Sequence, residues 1–166
     1  MGERALSSTA GDELVAIGLG SCIGLTLIDE DAGVVGLSHV VLPESLGKDG
    51  PKPKFADLAV PDLIEAVIEL GAAKRRLKAI LIGGAKMFAS TSTNNLDIGS
   101  RNAQAVREAL GAQRIAIVAE DVGGTRGRTA SIILGGEISS RAAGGDTMVL
   151  WSLNGRKAAV GGTGVL

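Results

Sequence analysis

The stretch Ile23-Gly-Leu-Thr-Leu-Ile28, Asp29-Glu-Asp-Ala-Gly33, Val34-Val-Gly-Leu-Ser-His-Val-Val-Leu42 decides the architecture. Two apolar, β-prone runs flank a polar turn that ends in glycine, the signature of a hairpin. The loop then sets the pairing. A four-residue loop over Asp29–Ala32 puts Cys22 directly opposite His39, with Cβ atoms about 4.5–5.5 Å apart on one face. A one-residue slip sends the two side chains to opposite faces. A five-residue loop needs a bulge to keep them together.

Outward from the hairpin, Glu13–Leu19 reads as a strand leading into Gly18-Leu-Gly-Ser-Cys22, and residues 1–11 read as a loose leader. Pro43–Lys54 holds three of the four prolines and reads as a loop. Over Ala56–Leu70, Val60, Leu63, Ile64, Val67 and Ile68 recur at helical spacing. Gly71 suits the position just past the helix end, while Pro61 demands a nearby helix start or a kink. Leu77–Ile82 and Arg114–Ala119 read as buried strands. Ser100 is a candidate N-cap for a helix over Arg101–Leu110. Thr129–Leu134 and Thr147–Leu153 read as later strands joined by glycine-rich turns. Strands outnumber helices and several are adjacent in sequence, which argues against a doubly wound parallel sheet. The expected fold is α/β: a mixed β-sheet or sandwich with two helices packed on one side. It forms one domain over residues 12–166.

Composition excludes several classes. Hydrophobic residues at 45% and charged residues at 21% describe a globular chain, not a disordered one. Seventeen basic residues against eighteen acidic ones leave no basic stripe, and Phe55, Phe88 and Trp151 are the only aromatics. Nucleic-acid binding is therefore not expected. Lys74, Arg75, Arg76 and Lys78 read as cations near a helix C-terminus. The first residues lack an apolar signal core, and no apolar run reaches transmembrane length, so a cytoplasmic chain with no membrane insertion is expected. Gly83-Gly84 and Gly123-Gly124 follow buried strands without a P-loop's Gly-Lys-Ser/Thr, and read as tight turns. The polar run Ala89–Asn95 reads as a surface loop.

The chain has one cysteine, Cys22, and one histidine, His39. One cysteine excludes an internal disulfide, and one of each cannot fill a zinc site. A lone cysteine is usually a small buried hydrophobe, and a lone histidine often a hydrogen-bonded polar residue. Placed across a hairpin beside a glycine-rich turn, the two make the simplest thiol nucleophile and base. Backbone N–H groups around Gly20, Ser21 and Cys22 are candidate oxyanion donors. No cofactor is required.

Gly18-Leu-Gly-Ser-Cys22 and Ser38-His39-Val-Val-Leu-Pro43 resemble the chemoreceptor glutamine deamidase family, CheD. The resemblance continues in order through Lys54-Phe-Ala-Asp57, Gly83-Gly-Ala-Lys-Met-Phe88, Ile98-Gly-Ser-Arg-Asn102 and Glu120-Asp-Val-Gly-Gly-Thr-Arg-Gly-Arg128, over roughly residues 12 to 158. It implies a three-layer α/β fold. It also implies hydrolysis of glutamine side chains to glutamate on methyl-accepting chemotaxis receptors, with Cys22 and His39 as catalytic pair and a CheC-type phosphatase as a further partner. The family carries a Thr six residues before its cysteine, and here that position is Ala16. Thr26, four strand residues or about 13 Å from Cys22, is not expected to replace it. Two alternatives follow: a regulatory module that binds receptor or phosphatase without catalysis, and a cysteine hydrolase acting on another amide or ester.

Overall fold

The computed structural model describes residues 1–87, 97–153 and the backbone of 163–165. The elements are β1 (Arg4–Ser7), β2 (Glu13–Leu19), β3 (Ile23–Asp29), β4 (Val34–Val40), α1 (Ala56–Glu69), β5 (Lys78–Gly83), α2 (Ile98–Ala112), β6 (Ala116–Val122), β7 (Arg128–Ile133), β8 (Glu137–Ala142), β9 (Thr147–Ser152) and β10 (Thr163–Val165). They form two five-stranded sheets, in the orders β1-β4-β3-β5-β6 and β10-β2-β7-β8-β9. Both sheets are mixed, since β5–β6 and β10–β2 are parallel pairs among antiparallel ones. Both helices pack on the outer face of the first sheet, as expected from the sequence.

The first sheet is buried on both faces, which is why its central strands are almost continuously apolar. Ile23, Leu25, Leu27 and Leu81 meet Val60, Leu63, Val67, Val106 and Leu110 of the helices. Ile28, Val35, Leu37, Ile80 and Ile82 turn the other way, toward Leu14, Ala130, Ile132 and Ile138 of the second sheet.

Several sequence readings are corrected. Part of the leader is β1, an edge strand paired with β4 from Arg4↔Ser38 to Ser7↔Val35, with Arg4 bridged to Asp62 of α1. Main-chain pairing holds it, so its side chains carry little strand signal. The sequence reading also passed over β8, where Ile138 is the one large apolar residue, and β10. The cap of α2 is Asp97, whose carboxylate accepts the Ser100 N–H at 3.0 Å, so the helix begins earlier, at Ile98. Lys74, Arg76 and Lys78 are not helix-end cations. They bind Gln113, Asp29 and Glu30 respectively, each at 2.8 Å. Gly83, Gly84, Gly123 and Gly124 all have positive φ, as tight turns require. The run Ala89–Asn95 lies outside the described residues.

The hairpin register also differs. Pairing runs from Ile23↔Val40 to Asp29↔Val34, so His39 lies opposite Gly24 rather than Cys22. The loop is Glu30–Gly33. Asp29 stays in the strand because its carboxylate is fully engaged. It accepts the Ala32 N–H (3.1 Å) across the turn, the Ala73 N–H (2.8 Å), and the Arg76 guanidinium. Gly33 closes the loop at φ 64°. The shift is two residues, so the face is preserved and only the partner changes.

Burial alone would raise the Asp29 carboxyl, but the Arg76 hydrogen bond and the two backbone amides outweigh it and hold it below the usual carboxylate range. Its stabilising effect is therefore present above pH ~4 and is lost as pH falls through the lowered value. Asp29→Ala is expected to cost about 2 kcal/mol at pH 7. In urea unfolding, the gap to wild type should narrow only below pH ~4; a gap unchanged down to pH 2 would contradict this account.

Candidate active site

Cys22 lies at the end of the glycine-rich turn between β2 and β3. Its peptide planes are held by their carbonyls. The Gly20 carbonyl accepts the Ala85 N–H (2.7 Å), and the Cys22 carbonyl accepts the Gly84 N–H (2.8 Å). Between them the Ser21 carbonyl accepts Asn102 Nδ2 at 2.9 Å. In a trans peptide the N–H points opposite the carbonyl, and no peptide here is cis. Anchoring the Gly20 and Ser21 carbonyls therefore fixes the directions of the Ser21 and Cys22 N–H groups. Gly20 differs, because its own N–H is committed to the Gly18 carbonyl at 2.9 Å. Glycine is obligatory behind the turn. A Cβ on Gly83 would sit 2.2 Å from the Cys22 carbonyl oxygen, and one on Gly99 would sit 2.5 Å from the Gly84 carbonyl oxygen.

Cys22 is 7% exposed and His39 is 2% exposed. Cys22 packs with Leu19, Ile82 and the rest of the inter-sheet core. His39 alternates with Val40, which faces the helices, so His39 turns to the same inter-sheet side. The ladder ends at Ile23↔Val40, so Cys22 sits one residue beyond it and His39 lies opposite Gly24. Neither ring nitrogen of His39 has a hydrogen-bond partner. Burial raises the Cys22 thiol above its ordinary value. Burial also lowers the His39 imidazole, against a smaller upward pull from Glu3. The resting pair is thus neutral thiol and neutral imidazole. Ala16 is fully buried in the same layer, paired with Ala130 on β7, and supplies no hydroxyl. Among the described residues no group of three or more His, Cys, Asp or Glu could hold a metal, and no helix is long and apolar enough to cross a membrane.

The family profile described as "CheD chemotactic sensory transduction" matches residues 41–136. The chain is also 49% identical over 121 residues to a protein of Clostridium botulinum (strain Eklund 17B / Type B) named "Probable chemoreceptor glutamine deamidase CheD". That alignment covers 71% of this chain and 75% of the relative. Relatives of the same name from the Hall and Alaska E43 strains are 48% and 49% identical, over 71% and 70% of this chain and 75% and 74% of theirs. This chain belongs to the CheD family. The profile match begins at Val41, just beyond His39, so it covers the frame around the site and not the Cys-His pair.

Within this CheD frame two positioning residues escaped sequence reasoning. Asn102 is fully buried on α2 and donates through Nδ2 to both the Ser21 and Val41 carbonyls, each at 2.9 Å. It thereby ties the Cys22 turn to the end of the His39 strand. A signal existed: Asn102 shares a helical face with Val106 and Leu110, where a polar residue needs a partner. Arg128 donates to the Gly123 carbonyl at 2.7 Å and pairs with Asp121 at 2.9 Å, bracing the loop that backs Gly83. A shallow cavity beside the turn is lined in part by Ile17, Gly18, Arg128 and Arg141.

Asn102→Ala should lower stability by about 2 kcal/mol and speed iodoacetamide labelling of Cys22, because the turn loses its clamp. In wild type the labelling rate should rise to half-maximum above the ordinary thiol pKa of ~8.5. A midpoint below that value would mean a stabilised thiolate.

Proposed function

We propose that this chain hydrolyses glutamine side chains of chemotaxis receptors to glutamate, with Cys22 as nucleophile and His39 as base. What supports the reading is that the chain's one cysteine and one histidine are both buried at the same end of the β3–β4 hairpin, beside a turn whose Ser21 and Cys22 amides are aimed by anchored carbonyls. The name shared by the relatives supports the substrate. Their name also supports an amidohydrolase acting in the cytoplasm, where receptor signalling helices lie. A CheC-type phosphatase is the further partner that the family resemblance implies.

The chemistry starts from the neutral pair. His39 takes the thiol proton as Sγ attacks the glutamine amide carbon. The oxyanion is received by the Ser21 and Cys22 N–H groups. Collapse breaks the C–N bond, and the imidazolium protonates departing ammonia. His39 then deprotonates water, which hydrolyses the thioester, releases glutamate and restores the thiol. No cofactor enters.

A second reading, a regulatory module without catalysis, is favoured by Ala16 and by the unpartnered His39 ring. One experiment separates them. Wild type, Cys22→Ala and His39→Ala are incubated with a receptor cytoplasmic fragment, followed by mass spectrometry. A gain of about 1 Da at defined glutamines, lost in both variants, is the expected result. Receptor binding by wild type without conversion, on a fragment that another CheD protein deamidates, would leave the regulatory module.

The active base is neutral imidazole, and burial extends that form to lower pH. The acid limb of kcat/KM should therefore lie below the ordinary imidazole value of ~6.5. A limb above it would point to an imidazolium stabilised by a close anion.

A further inference from the structure

We infer that the groove beside the cysteine turn receives a carboxylate carried by the same polypeptide as the target glutamine, held by Arg141 and Arg126. The inference rests on the deamidase reading and deepens it, because it adds a requirement on the substrate beyond the glutamine itself.

The groove has a volume of about 470 Å³ and crosses the end of the second sheet at which Cys22 lies. Its lining passes from Ile17 and Gly18 on β2, through Gly127 before β7, to Arg141 on β8 and Gly145 in the β8–β9 turn. The Gly18 carbonyl accepts the Gly20 N–H at 2.9 Å, so the first wall of the groove is continuous with the cysteine turn. A Cβ on Gly18 or Gly144 would meet nothing within 4 Å. The floor is thus low and open, and a second main chain can approach it closely.

Charge sets this groove apart. Arg128 is neutralised by its own fold: it pairs with Asp121 at 2.9 Å, and Asp121 also accepts from the Ser140 hydroxyl at 2.7 Å. Arg126 and Arg141 are exposed, and among the described residues neither guanidinium is ion-paired. The cross-strand neighbours of Arg141 are Thr129 and Thr147, not acids. Arg126 Nη1 lies 3.6 Å from where a Cβ on Gly145 would stand, which brings it to the same rim. The β8–β9 turn adds one acid, Asp146, also exposed. Arg126 and Arg141 against Asp146 leave the groove net positive, and a concave wall of one sign concentrates the opposite one. The arginine fork takes a carboxylate through two parallel hydrogen bonds.

The reaction itself makes such an anion. Each turnover turns a neutral amide into a carboxylate on the substrate chain. A glutamate formed at one position can then fill the groove while a neighbouring glutamine reaches Cys22. Deamidation of one polypeptide therefore proceeds in order, the first product favouring the second reaction.

The test uses a receptor cytoplasmic fragment in two forms. In one, the acidic residues within two helical turns of a glutamine converted by another CheD protein are kept; in the other they are changed to amides. Binding is measured on Cys22→Ala, and conversion on the chain with its cysteine. Both are repeated with Arg126→Gln, Arg141→Gln, the double variant and Arg75→Gln. Arg75 is a control of equal charge loss, in the connection from α1 to β5. The acidic form should bind and react better than the amide form, and high salt should erase the difference. Each groove variant should raise KM for the acidic form roughly fivefold, with kcat and thermal stability kept. The amide form and Arg75→Gln should show no such change. A double variant that loses no more than Arg75→Gln, or loses equally on both forms, would overturn the inference, as would a wild type that binds neither form. Carboxylate-dependent binding through these arginines, without conversion by wild type, would strike the deamidase reading and leave the groove's role standing.

Discussion

The carboxylate of Asp29 is the constraint on which the rest depends. It bonds across the hairpin turn to Ala32 and, beyond it, to Ala73 and Arg76 in the connection from α1 to β5. One buried group thus fixes where β3 ends, how β4 is paired, and where β5 enters between β3 and β6. The adjoining turn is held as well. Glu30 accepts from Lys78 at 2.8 Å and from the Trp151 indole at 3.2 Å, which ties the second sheet to the same end. Everything at the far end of β3, including the cysteine turn, inherits its position from this anchor.

At that far end close backbone packing replaces ionic anchoring. Gly83, Gly84 and Gly99 let β5, the β2–β3 turn and the first turn of α2 approach so nearly that side chains would collide. The reward is a turn whose carbonyls all point into the frame. Such preorganisation puts amide donors in place before a reaction begins, and so avoids reorganisation during it. The helices serve this arrangement from the opposite face through Asn102. The α-layer is therefore part of the candidate site's construction, although Cys22 packs on the other side of the sheet.

Much of this could be read from residues alone, and the failures have physical causes. The hairpin, both helices and the mixed two-sheet arrangement follow from strong periodicity and from glycine at turn and helix ends. The pairing of His39 was missed by two residues because Asp29, polar and next to a turn, reads as loop; its bond to Ala32 across the turn and its two distant partners, Ala73 and Arg76, keep it in the strand. That small error put Cys22, where Gly24 belongs, opposite the histidine. β1 and β8 escaped because main-chain pairing, not apolar alternation, builds them. Asn102 was legible as an odd polar residue on an apolar face, but its partners at Ser21 and Val41 are fixed only by the folded chain.

The burial of Cys22 has a consequence for chemical endurance. Peroxides attack thiolates, and the first product, a sulfenic acid, is usually rescued by a neighbouring thiol that forms a disulfide. This chain has no second thiol, so an oxidised Cys22 would have no internal route back. A sulfur that is 7% exposed and whose thiol is raised by burial is a poor target for peroxides. The fold thus shields its single thiol from oxidants by burial and by keeping it in the less reactive protonated form.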